Sequence, residues 1–101
     1  MPPLDKHAAT LVDKKYYSLS QNYPNPFNPS TKIIYSLPVS DYVNIKVFDI
    51  IGKEVAVLVT GWKEAGSYIV EYDASNLTSG IYFYQIQTGQ YSETRKLILQ
   101  K

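Results

Sequence analysis

Short runs of alternating apolar and polar residues, each ended by turn-forming residues, restrict the fold of this chain most. A period of two places every second side chain on one face of a β-strand. Ile33, Tyr35 and Leu37 alternate in this way, and Pro38 ends their run. About seven such runs follow one another, with turn residues roughly every ten positions. The pattern therefore predicts an all-β fold, an immunoglobulin-like antiparallel β-sandwich of about seven strands.

The alternation also predicts which side chains fill the space between the two sheets, because a slip of one residue would expose each set. The predicted core residues are Ile33, Tyr35, Leu37, Val43, Ile45, Val47, Val70, Tyr72, Tyr84 and Ile86. Gly52 is expected to adopt a positive φ in the turn after the third run. Residues 61–66, which include Trp62, are expected to form a loop.

A second polar connection precedes the sixth run and carries Leu77, which we expect to plug the core. Tyr82 follows Gly80 at the start of that run, where sandwich folds place a tyrosine corner. Its ring is expected to lie inside the domain. Its hydroxyl is expected to bond a backbone group near Asn76 or Leu77.

Three prolines, Pro24, Pro26 and Pro29, fall within one short segment. Each fixes φ and lacks an N–H, which excludes both a helix and a central strand. We expect a stiff ordered loop there, with Phe27 anchored in the core. Residues 16–23 are expected to form the first strand of a domain that spans residues 16–101. Residues 1–15 are polar and are interpreted as a linker or frayed terminus.

Charge and hydropathy exclude several classes of protein. Ten basic residues against nine acidic ones leave no basic face for nucleic acid. No apolar run approaches the ~20 residues of a membrane-spanning helix. The first residues lack the apolar core of a signal peptide, so we expect any export signal further upstream in a longer parent protein.

The sequence also lacks the combinations of residues that form an active site. The single histidine, His7, lies in the N-terminal segment, and cysteine is absent. The carboxylates Asp41, Asp49, Glu64 and Asp73 fall at strand ends or turns, where such groups accept backbone N–H bonds. We therefore predict no enzyme, no metal site and no cofactor. Exposed aromatics such as Trp62 leave open an accessory carbohydrate-binding module or a spacer of an extracellular enzyme.

Four motifs, in order, resemble the type A C-terminal sorting domains of the type IX (Por) secretion system. They are residues 19–31 (LSQNYPNPFNPST), residues 47–49 with 52–55 (VFD, GKEV), residues 77–84 (LTSGIYFY) and residues 95–101 (RKLILQK). The resemblance covers about residues 19–101. It implies a domain that follows a cargo protein and directs it through an outer-membrane translocon. The cargo crosses the inner membrane by its own signal peptide.

The resemblance also implies partners and a destination. A sortase-type protease commonly removes such a domain at the linker before its first strand, and the cargo is released or attached at the cell surface. The expected route runs through the periplasm to the outer-membrane surface or the medium. A sorting domain ends its parent protein, whereas a binding module occurs anywhere. The position of Lys101 directly after the last run therefore favours sorting over the carbohydrate-binding alternative.

The final run is the expected recognition element. Arg95, Leu97 and Leu99 share one face of it, and Lys96 lies on the opposite face. Edge strands offer unpaired backbone groups to which a receptor can add a strand. Lys96 and Lys101 are expected to guide the encounter by charge. The simpler interpretation is that these cations only protect a sheet edge from aggregation.

Overall fold

A computed structural model describes residues 16–101, which form seven strands in two antiparallel sheets. The strands are β1 (Ser18–Leu19), β2 (Ser30–Leu37), β3 (Asp41–Phe48), β4 (Glu54–Lys63), β5 (Gly66–Asp73), β6 (Gly80–Gln87) and β7 (Ser92–Leu99). The three-stranded sheet has the order β1-β2-β5, and the four-stranded sheet has the order β4-β3-β6-β7. This arrangement confirms the predicted all-β sandwich. The predicted linker, residues 1–15, and His7 lie outside the described residues.

The core lies between the two sheets and is built by the predicted alternation. The buried apolar side chains are Leu19, Phe27, Ile33, Tyr35, Leu37, Val43, Ile45, Val47, Tyr72, Ala74, Tyr82, Tyr84, Ile86, Leu97 and Leu99. Of the predicted core residues only Val70 is half-buried, and it packs against this cluster. The expected faces of the strands are therefore confirmed.

The first strand is shorter than predicted because the ladder between β1 and β2 stops at Ser20. The N–H of Ser20 still donates to the carbonyl of Ile34 at 2.8 Å. The return bond from the Ile34 N–H goes to the Ser20 side-chain hydroxyl instead of the carbonyl. That carbonyl accepts the hydroxyl of Tyr84 at 2.6 Å. A core tyrosine therefore takes the acceptor that would have extended the strand.

The prediction of a loop at residues 61–66 is wrong for its first half, because β4 continues to Lys63. Gly61 has a φ of 138°, which residues with a Cβ rarely adopt, so glycine here permits a distorted strand and does not end it. Trp62 consequently lies in the strand opposite Tyr42, and both side chains are exposed.

The turn and the connection that flank the later strands follow the predictions more closely. Gly52 has a φ of 89° in the turn between β3 and β4. Leu77 is half-buried and packs against the core, while Ala74 is the fully buried residue of that connection. The hydroxyl of Tyr82 donates to the carbonyl of Thr78 at 2.7 Å, which confirms the tyrosine corner, one residue beyond the expected acceptor.

Candidate recognition surface

The terminal strand β7 forms one edge of the four-stranded sheet and pairs with β6 along its whole length. Leu97 and Leu99 point into the core and are almost fully buried. Each buried leucine contributes roughly 1.5–3 kcal/mol of burial free energy. The strand is therefore fastened to the sandwich through one face, as its alternation predicted.

Arg95 lies on the same inward face, where its guanidinium has two partners. Its Nε donates to the carbonyl of Leu19 at 2.6 Å, which links β7 to β1 across the two sheets. Its terminal nitrogen forms an ion pair with Glu93 at 3.0 Å. The side chain thus closes one side of the sandwich.

The free edge of β7 is covered by residues 20–29, which we call the opening segment. The N–H of Phe27 donates to the carbonyl of Ile98 at 3.0 Å, and the N–H of Gln100 donates to the carbonyl of Phe27 at 2.9 Å. Phe27 therefore pairs with β7 in the parallel direction. Its side chain is buried, which confirms the predicted anchor.

Two side chains of the same segment cap further backbone groups of β7. The amide of Gln21 donates to the carbonyl of Lys96 at 2.7 Å. The side-chain oxygen of Asn25 accepts the N–H of Ile98 at 3.1 Å. The expectation of unpaired backbone groups along this edge is therefore wrong between residues 96 and 100.

A buried polar network holds the opening segment in place. Asn22 and Thr31 are both buried, and the Asn22 amide donates to the Thr31 hydroxyl and to the carbonyl of Pro24. The Thr31 hydroxyl also donates to that carbonyl. Further along, the carbonyl of Pro29 accepts the N–H of Ala74. The carbonyls of Pro24 and Pro29 are therefore acceptors that hold this segment, while Pro26 is exposed.

The outward face of β7 carries a different set of side chains. Lys96 is exposed and lies opposite Phe83 of β6. Ile98 is half-buried and lies opposite Ile81, which is 40% exposed. The accessible part of β7 is therefore its outward face, where Lys96 lies beside apolar residues.

The last residue is tied to the connection between β5 and β6. The N–H of Lys101 donates to the hydroxyl of Ser79 at 3.0 Å, and its ammonium donates to the carbonyl of Ser75 at 2.6 Å. The pKa of Asp73 nearby is lowered, first by hydrogen bonds from Ser75 and then by the charge of Lys101. The end of the chain is thus held against the sandwich.

The acidic side chains occupy turns, as predicted. Asp41 accepts the Tyr17 hydroxyl and the N–H groups of Tyr42 and Gly89, and the Tyr17 bond is the main cause of its lowered pKa. Asp49 accepts two N–H groups of its own turn. Across residues 16–101, no group of three or more metal-ligating side chains occurs. Trp62 and Tyr42 are exposed cross-strand partners, and exposed rings of this kind are what the carbohydrate-binding alternative requires.

Comparison with protein families adds the deciding observation. Residues 21–100 match the model of the secretion system C-terminal sorting domain. The chain belongs to this family. The match begins in the opening segment and ends within the last motif, residues 95–101, so it includes both segments that the structure joins. No curated protein matches the chain.

Membership establishes what the sorting domain does. It is a C-terminal sorting signal for type IX secretion, which acts on a fused cargo and with the secretion machinery. Its destination is the outer-membrane surface or the extracellular space. In the part of the chain described here, no helix has the length and hydropathy to cross a membrane.

Sequence reasoning missed the side chains that join the two ends of the sorting domain. The sequence predicts a strand at Gln21 and Asn22 and a stiff loop at Asn25, and it assigns no hydrogen bond to these side chains. The signal that points to them is a run of amides beside prolines. Prolines lack N–H groups, so the amides of Gln21 and Asn22 supply donors in this segment, whereas the side-chain oxygen of Asn25 accepts an N–H of β7.

Proposed function

We propose that the secretion machinery recognises the sorting domain through the outward face of β7. Lys96, on that face, and Lys101, which follows the strand and is held against the connection before β6, are the residues that contact the partner. Arg95, Leu97 and Leu99 act through position, since their inward contacts hold the strand in register. The observation that supports this proposal most is that β7 has a buried inward face, with Leu97 and Leu99, and an accessible outward face that carries Lys96.

The covered edge changes the expected mode of recognition. A receptor that added a strand to β7 would have to displace the bonds from Phe27, Gln21 and Asn25. Recognition of side chains leaves those bonds intact. Exposed cations mainly raise the rate of encounter and fix its orientation, so the partner surface is expected to be acidic.

Export and processing follow in the same proposal. The cargo reaches the periplasm by its own signal peptide, and the sorting domain then delivers it to an outer-membrane translocon. A sortase-type protease cuts within residues 1–15, and the cargo is released or anchored at the surface. A cut there leaves the domain of residues 16–101 whole, because its first strand begins at Ser18.

The sorting domain itself is proposed to be non-catalytic. Its aspartates accept backbone and hydroxyl hydrogen bonds at turns, which is a structural use of these groups. Enzymatic activity of the parent protein would therefore belong to the cargo. Within residues 16–101, the exposed cross-strand pair of Trp62 and Tyr42 is the feature that favours the carbohydrate-binding alternative.

Point substitutions test the recognition face better than deletion does. Removing the last residues would also remove the buried Leu99 and the bond from Gln100 to Phe27, so it would damage the fold. We therefore suggest Lys96→Gln with Lys101→Gln in the full chain fused to a reporter. The matched control is Lys32→Gln with Lys63→Gln, which removes the same charge on other parts of the surface.

The readout is the share of reporter outside the cell in a bacterium with a type IX system. The proposal predicts that the Lys96 and Lys101 variant exports about tenfold less reporter, in line with lost electrostatic steering. The control is expected to export normally. Normal export of the first variant, with both proteins folded, would show that the cations only protect the sheet edge.

A further inference from the structure

The turn between β3 and β4 is held rigidly by one aspartate. The carboxylate of Asp49 accepts the N–H of Ile51 at 3.1 Å and the N–H of Lys53 at 2.9 Å. Its backbone also exchanges bonds with both sides of the turn, from Gly52 N–H to the Asp49 carbonyl and from Asp49 N–H to the Lys53 carbonyl. The turn therefore has one fixed shape.

This fixed turn presents two apolar side chains to solvent. Ile50 is 70% exposed and Ile51 is 83% exposed. Turn tips are usually occupied by Gly, Asn, Asp, Ser or Pro, which suit both the backbone and the solvent. Since neither isoleucine contributes much burial, the fold does not account for their apolar character.

A groove of about 560 Å³ lies between this turn and the connection before β6. Asp49 and the two isoleucines form one wall, and residues 78–82 form the other. The second wall is also rigid, because the hydroxyl of Tyr82 donates to the carbonyl of Thr78 within it. A preformed groove with fixed walls binds at a lower entropic cost than a flexible one.

The groove continues into the outward face of the terminal strand. Ile81 lines the groove and lies directly opposite Ile98 of β7. In the neighbouring row, Phe48 and Phe83 are cross-strand partners, and Lys96 follows next to Phe83. The exposed Ile81, the half-buried Ile98, Phe48 and Phe83, and the cation of β7 thus form one contiguous surface, of the kind that marks interaction sites.

We propose that this groove is a second docking site for the secretion machinery, which inserts an apolar side chain between the Ile50–Ile51 turn and the tyrosine corner. The inserted residue belongs to a segment that also carries carboxylates, which meet Lys96 beside the groove. The inference rests on the proposed recognition through β7 and extends it across the sheet to β3 and β4.

The charges around the groove favour such a partner over a second copy of the chain. Lys53 follows the turn, and Lys96 lies on the outward face of β7. The nearby acids are already engaged, Asp49 by its turn and Glu54 by Lys46 at 3.3 Å. Two copies joined through this surface would bring like charges together, which is unfavourable.

The test uses the full chain fused to a reporter and the double substitution Ile50→Ser with Ile51→Ser. Ile69→Ser is the matched control, because Ile69 is 67% exposed and lies on the outer face of the other sheet. Both variants are expected to keep the thermal midpoint of the parent, since the replaced side chains are exposed. Sedimentation velocity on the free chain measures self-association.

The inference predicts about tenfold less exported reporter for the double variant, the loss expected when an apolar anchor leaves its pocket. The Ile69 control exports normally. Normal export of the double variant, while the Lys96 and Lys101 variant is retained, would overturn this inference and leave the proposed function standing. Normal export of both would overturn both. A dimer of the parent chain that the double variant abolishes would assign the groove to a second copy and overturn the inference.

Discussion

Phe27 and Ile98 are joined by a backbone hydrogen bond of 3.0 Å, and they belong to the first and last motifs of the sorting domain. The next bond, from Gln100 to Phe27, continues the pairing to the end of β7. The opening segment is therefore a structural part of the terminal strand. A change in either motif is expected to affect the other.

Phe27→Ala is predicted to lower the free energy of unfolding by about 3–5 kcal/mol. The ring is 2% exposed, and its loss would leave a cavity beside Leu99 and loosen the edge of β7. Urea denaturation measures the change. Tyr23→Ala is the control, because Tyr23 lies in the same segment but is 80% exposed. An equal effect of both substitutions would contradict the anchoring role.

Tyr82→Phe is predicted to destabilise the domain by about 1 kcal/mol, the net value of one hydrogen bond. The substitution removes the bond to Thr78 and keeps the ring, which is 7% exposed. Tyr16→Phe, at a position that is 68% exposed, is expected to have no effect on urea denaturation. If Tyr82→Phe were also without effect, the tyrosine corner would contribute nothing to stability.

Alkaline pH is predicted to unfold the domain through its buried phenols. Burial raises the pKa of Tyr35, Tyr84 and Tyr91 from 10.0 to about 12. The unfolded chain then loses these protons at lower pH than the folded one. The stabilisation is thus complete below pH 10 and is lost as the pH rises towards about 12. Urea denaturation across this range measures the loss.

The variant Tyr84→Phe provides the check on this titration. It removes one raised phenol, so the free energy of unfolding should fall less steeply with pH than in the parent. The near-ultraviolet absorbance of tyrosinate reports the titration directly. A single transition of all ten tyrosines at the ordinary pKa, with the fold intact, would contradict the burial argument.

The alternation of side chains was enough to predict the sheets and their inner faces. Ile45 and Ile86 show why, since they are direct cross-strand partners with no exposed surface. Each was assigned correctly because burial on one face fixes the register of a strand. The position of Gly52 in its turn was predictable for a related reason, because few residues adopt its φ.

The contacts between distant segments could not be predicted in this way. The sequence predicts a loop at Trp62 because Gly61 is typical of a strand end, whereas in the structure the neighbouring strand pairs Trp62 with Tyr42. The carbonyl of Ser20 is taken by Tyr84, a residue 64 positions away. Periodicity describes each strand alone, so it contains no information on which segment covers the free edge of β7.

The exposed aromatic pair is predicted not to bind polysaccharide. Trp62 and Tyr42 form a single pair, and extended glycan sites need a row of such rings. Calorimetry of the full chain with plant and microbial glycans should give dissociation constants no tighter than about 1 mM. The same mixtures should show no hydrolysis. Micromolar binding that Trp62→Ala abolishes would support the carbohydrate-binding alternative.

The most direct test of the account is the location of a cargo that carries this chain at its C-terminus. A reporter with its own signal peptide is expressed with and without the sorting domain, in cells with an intact type IX translocon and in cells that lack it. The account predicts reporter at the surface or in the medium only when both the sorting domain and the translocon are present. Equal export in cells without the translocon, or retention of the tagged reporter in cells that have it, would contradict the account.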